Sequence, residues 1–145
     1  MNILQQIQSE LKAPKGQKNN FGNYSYRSAE DILTAVKPLL EKHEVSLIIS
    51  DDIVGVEGRV YVQATATLWS GDKDCEPLAR STGFAREALT KKGMDDAQIT
   101  GSASSYARKY ALNGLFAIDD TKDPDATNDH GSKLPKPTTK QSQGF

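Results

Sequence analysis

From Gly58 to Trp69 the chain reads GRVYVQATATLW. Val60, Val62, Ala64, Ala66 and Leu68 alternate there with Tyr61, Gln63, Thr65, Thr67 and Trp69. A period of two sustained this long fits a strand with one buried face and does not fit a helix. A strand needs partners, and the flanking sequence supplies them. In VSLIIS, Val45, Leu47 and Ile49 share one face. In LARSTGFARE, Ala79, Ser81, Gly83 and Ala85 take one side while Arg80, Thr82, Phe84 and Arg86 take the other. GVEG and SGDKD between these runs are turn-like, which predicts a three-stranded antiparallel meander.

Helical spacing surrounds the strands. Ile3, Leu4, Ile7 and Leu11 predict a short amphipathic helix over residues 2–11, stopped by Pro14, with KAPKGQKNNFGN as a loop. Ser28 and the acids after it open a second helix, SAEDILTAVKPLLEKH, with a buried stripe of Ile32, Leu33, Val36, Leu39 and Leu40; Pro38 is expected to kink it. A polar TKKGMDD loop then leads into a helix from roughly Asp95 to Leu115. Ala103, Ala107, Ala111 and Gly114, with Tyr110, share one arc whose small side chains let the helix lie close on a sheet. Gly101, Ser105, Arg108, Lys109 and Leu112 fall opposite and are expected to face away from the packing.

The predicted fold is therefore α+β: a β-β-β-α core with helices packed on an antiparallel three-stranded meander, preceded by two N-terminal helices. The 145 residues suit one domain, placed at 1–120. Residues 121–145 are first acidic and then rich in Pro, Lys, Thr, Ser, Gln and Gly. They hold too few hydrophobes to offset ordering entropy and are expected to form a disordered tail.

Composition removes several classes of function. No run of about 18 apolar residues exists to span a membrane, and the N-terminus lacks the cationic start and apolar block of a signal peptide. Cys75 is the only cysteine, so no internal disulfide forms and no zinc spacing arises. The reading is cytoplasmic. The net charge of −1 conceals a gradient. Residues 80–110 carry six cations (Arg80, Arg86, Lys91, Lys92, Arg108, Lys109) against three acids, whereas 119–129 carry five acids against Lys122. Surface binding follows local potential, so the mean does not decide the matter.

No phosphate-cradling G-x-x-x-x-G-K-[ST] appears, and neither His43 nor His130 has a catalytic partner in the sequence. The acidic run DDTKDPDATND fails the calcium-loop pattern: counting from Asp119, the glycine and glutamate positions hold Pro124 and His130, and from Asp123 they hold Asn128 and Leu134. The chain is expected not to be an enzyme and to need no metal or cofactor. The cations say more. Arg80 and Arg86 flank Phe84, while Lys15, Lys18 and Arg27 interleave with Phe21, Tyr24 and Tyr26. Cations that track phosphates beside aromatics that stack on bases suit sequence-tolerant single-strand binding. Tyr24 and Tyr26 fit core positions equally well, and Arg108 with Lys109 also fits an ordinary solvated helix face.

Two segments carry a resemblance. FGNYSYRSAEDILTAVKPLLEKHEVSLIIS and GSASSYARKYALNGLFAIDDTKDPDA are similar to the two signatures of the Erf (essential recombination function) family of phage-type single-strand annealing proteins. The resemblance spans about residues 20–126 and departs at Glu44, where glycine is common. It implies ATP-independent binding and annealing of complementary single-stranded DNA in homologous recombination, on a β-β-β-α core whose subunits form homo-oligomeric rings or filaments. It also implies that Arg108 and Lys109 line the strand-holding groove; the other cations, Arg80, Arg86, Arg27, Lys91 and Lys92, are expected as secondary contacts, with Tyr106 as a further candidate beside them. The long alternating strand, with Tyr61, Thr65 and Trp69 outward, is expected to supply a subunit edge. A host single-strand-binding protein or an exonuclease would be the further partner, in the host cytoplasm. The rival readings are a passive single-strand protector, a metal-dependent nuclease, and an interaction module that ignores DNA.

Overall fold

A computed structural model describes residues 2–19, 24–71 and 76–118. The expected tail, the acidic run, Phe21, Cys75 and His130 lie outside the described residues. The first helix, α1 (Ile3–Glu10), starts at a capping box in which Asn2 and Gln5 satisfy each other's backbone N–H groups. Two three-residue strands follow, β1 (Gln17–Asn19) and β2 (Tyr24–Tyr26), paired antiparallel with Gln17 opposite Tyr26. This ribbon replaces the loop expected there, because strands of three residues are too short to leave a periodic signal.

The second helix, α2 (Ala29–His43), is capped by Ser28 as expected, with Asp31 closing the box. It runs unbroken through Pro38. Thr34, whose carbonyl loses its helical donor to the proline ring, lies on the exposed side of the helix. Glu44 ends the helix in the left-handed region, φ 54.

The sheet has the order β3-β4-β5 (Val45–Val56, Arg59–Ser70, Pro77–Arg86), antiparallel throughout, as the meander predicts. β3 continues six residues past VSLIIS. Glu57 (φ 50) and Gly58 (φ 79) form a two-residue turn with both backbones left-handed, whose twist lets the ladder zip to its tip at Val56–Arg59. Sequence alone stops the strand early because Asp51 and Asp52 are poor strand formers. β4 pairs on both sides, so the long alternating strand is central and supplies no edge; β3 and β5 do.

The last helix, α3 (Asp96–Phe116), opens on Asp95 and lies across β4 and β5. A Cβ on Gly83 would stand 2.5 Å from both the Ala107 carbonyl oxygen and the Ala111 nitrogen. The main chain of the helix thus rests on the main chain of β5. Val62, Ala64, Ala66 and Leu68 are buried beneath Ala103, Ala107 and Ala111.

Two expectations about α3 need correction. Leu112 is fully buried and Lys109 is only 6% exposed, although both sit opposite the small-residue arc. The helix is covered on both sides: α1 and α2 contribute Ile7, Ile32 and Val36 to the core and contact its far face. Tyr110, assigned to the packing arc, is instead 39% exposed, since the arc extends past the edge of β5 at that angle. Across the sheet, the opposite face presents Arg80, Thr82, Phe84 and Arg86 to solvent.

Candidate nucleic-acid interface

The register of β5 decides where its cations go. Odd positions face α3, so Arg80, Phe84 and Arg86 line the outer side, and β5 ends beside the loop carrying Lys91 and Lys92. On α3, Tyr106 and Tyr110 are one turn apart on the flank that overlooks this edge. Their ring centroids are 6.4 Å apart at an interplanar angle of 30°, and both remain exposed.

A groove of about 510 Å³ opens between the two elements, lined by Phe84, Arg86, Lys91, Tyr106 and Tyr110 over a floor of Ile99 and Ala103. Beside it lies a smaller recess of about 220 Å³, lined by Tyr26, Arg27, Ser28, Ser105, Tyr106 and Lys109. Tyr106 borders both, so a single strip runs from Arg86 and Lys91 across an aromatic pair to Arg27 and Lys109. Arg27 is engaged within the protein: its Nε donates to the Ala13 carbonyl at 2.7 Å, tying the residue after β2 to the segment that follows α1. Lys92 is exposed in the same loop as Lys91, and Arg80 stands farther along the outer face of β5.

Arg108 and Lys109 do not share a wall. Successive helical residues diverge by about 100°, and here that step carries Lys109 under β2 and the start of α2 while Arg108 turns toward β3. Arg108 meets Asp51 there, Nε donating to Oδ1 at 3.2 Å and Nη2 to Oδ2 at 3.3 Å. Ser104, one turn earlier on α3, donates its hydroxyl to Asp51 Oδ2 at 2.6 Å. Asp51 occupies an inward register position of β3, between Ile49 and Ile53, opposite Ala64. The basic groups therefore divide among three places: Arg86 and Lys91 beside the end of β5, Arg27 and Lys109 at β2 and the start of α2, and Arg108 toward β3.

Asp51 and Ser104 escape the sequence reading. The available signal is a carboxylate in the inward register of an otherwise apolar alternation. For Tyr110, the four-residue spacing from Tyr106 marks a helical aromatic pair, a signal that the packing arc obscures.

Among the described residues, no three His, Cys, Asp or Glu side chains are grouped to hold a metal ion, and no helix is long and apolar enough to cross a membrane. His43 and Lys42 both meet Glu10, at 3.3 and 3.0 Å, which fastens the end of α2 to α1.

The ERF superfamily model matches residues 2–144. The chain is 52% identical over 140 residues to the essential recombination function protein of Salmonella phage P22; the match covers 97% of this chain and 65% of that protein, so the chain spans less than two thirds of the relative's length. No solved structure matches. With both signature segments inside one continuous match, the chain belongs to the ERF superfamily.

Proposed function

We propose that the protein binds single-stranded DNA along the strip between α3 and the β5 edge and anneals complementary strands in homologous recombination without ATP. The observation that carries this reading is the groove in which Arg86 and Lys91 stand beside exposed Tyr106, Tyr110 and Phe84. Cations neutralise the backbone and aromatic rings take base faces, so neither consumes the Watson–Crick edges that an incoming strand must reach. Neutralisation also lowers the repulsion between two approaching strands. No bond is made or broken, so no catalytic residue is required.

One subunit offers few phosphate contacts, and affinity then comes from repetition along a homo-oligomer. The sheet supports this, because β3 and β5 are both edges and a head-to-tail contact between them propagates into a ring or filament. In such an assembly the β5 flank of one subunit lies beside the β3 flank of the next. Arg86, Lys91 and Tyr106 would then share a channel with the neighbour's Arg108.

The test is duplex formation from complementary labelled oligonucleotides in stopped flow, without nucleotide. The protein should accelerate pairing, and Arg86→Ala with Lys91→Ala should remove most of the acceleration while leaving the melting temperature unchanged. Slower pairing would identify a passive protector. Cleavage of single strands on adding magnesium or manganese would identify a nuclease.

A further inference from the structure

We infer that Asp51 is a resident competitor for phosphate at Arg108, so that this arginine engages a nucleic-acid backbone only by exchanging one anion for another. The inference rests on the single-strand-binding reading above. Its basis is the contact itself. Two parallel N–H groups of the guanidinium meet the two oxygens of one carboxylate, at 3.2 and 3.3 Å, and a phosphate would take the same fork. Both side chains remain partly exposed, 40% for Arg108 and 24% for Asp51, so a strand can reach the pair. A pair this open is worth no more than about a fivefold factor, which a phosphate can overcome.

Ser104 makes the exchange reversible. Its hydroxyl already donates to Asp51 Oδ2 at 2.6 Å, so the carboxylate keeps a donor when Arg108 leaves and stays placed to recapture it. The register of β3 sets this aspartate apart. It lies in the inward register between Ile49 and Ile53, just past the covered part of the strand, where its carboxylate meets the flank of α3 and stays open to solvent. The consequence for annealing is a weakened hold at one contact per subunit. A strand held less tightly there can shift along the protein until its bases find their register.

The experiment measures anisotropy of labelled oligo(dT) between about 50 and 200 mM salt with four proteins: wild type, Asp51→Asn, Arg108→Ala and the double variant. Asparagine keeps the shape and an acceptor for Ser104 while removing the charge. The inference expects Asp51→Asn to bind about two- to fivefold more tightly at the lowest salt, with a salt slope steeper by about 0.7, and the gain to vanish in the double variant. If Asp51→Asn binds equally or more weakly while Arg108→Ala weakens the wild type, Asp51 positions the arginine and the inference is overturned, with the binding reading intact. If no salt-dependent binding is seen in any of the four, the binding reading fails and the inference with it. Should asparagine unfold the chain, Asp51→Ser removes the same charge and is read by the same criteria.

Discussion

At the scale of single residues, the adjacent cations Arg108 and Lys109 behave as different objects. Lys109 is almost fully enclosed, so truncating it empties packed space and strips a polar partner from the interior. Lys109→Ala should cost about 1–3 kcal/mol in urea unfolding, whereas Arg108→Ala should stay within about 0.5 kcal/mol of wild type, because its ion pair is exposed. Loss of strand binding in a combined variant therefore carries meaning only beside its unfolding curve. Glu44 offers the opposite sign. It holds φ 54 at the end of α2, a conformation that strains a side chain and suits glycine. Glu44→Gly should raise stability by about 1 kcal/mol in the same measurement.

Asp31 sets a pH dependence. Hydrogen bonds from the Ser28 backbone N–H and from the Gln17 and Ser28 side chains, with the Arg27 charge nearby, hold its carboxyl below the usual range despite partial desolvation. Glu10 is lowered in the same direction by hydrogen bonds to Lys42 and His43. A carboxyl whose folded value lies below its unfolded one stabilises the fold above the unfolded value, about pH 4. That stabilisation is lost as pH falls through the folded value. Asp31→Asn should accordingly flatten the acid limb of a stability-versus-pH curve below about pH 4 and leave its shape at neutral pH unchanged.

Among the elements, the seat of α3 on β5 is the most sensitive joint. A methyl group at Gly83 would collide with main-chain atoms of α3 at 2.5 Å, and backbone cannot swing aside as a side-chain tip can. Gly83→Ala should destabilise by about 1–3 kcal/mol and displace the tyrosine flank, so pairing activity should fall with stability. Circular dichroism melts and the annealing assay on one preparation check both.

How much of this is legible in the sequence follows from which forces act locally. The alternation of Val60 to Leu68 names a strand without further help, and Ser28 and Asp95 mark helix starts because a cap is a contact between residues three apart. The faces of α3 are only half legible. Its alanine arc marks the sheet correctly, but a helix wheel cannot reveal that α1 and α2 return to cover Leu112 and Lys109. The candidate site divides the same way. Arg86, Lys91 and Tyr106 each stand out singly in the sequence, yet their meeting depends on where β5 ends beside α3, and the Asp51–Arg108 pair joins residues 57 apart in the chain.

For the whole molecule, the proposed assembly through β3 and β5, both edge strands among the described residues, makes a definite demand. Sedimentation velocity should find species heavier than a monomer, increasing in the presence of oligo(dT); a monomer at every concentration would dismantle the shared channel while leaving single-subunit binding possible. The direct backbone contact at Gly83 also limits how such an assembly can respond to its cargo. No compressible side chain lies between helix and strand at that point, so α3 has little freedom to tilt or slide against the sheet. The neighbouring connection, residues 88–94, is exposed throughout and bears Lys91 and Lys92. The groove thus has one wall seated backbone to backbone and one rim that nothing covers among the described residues.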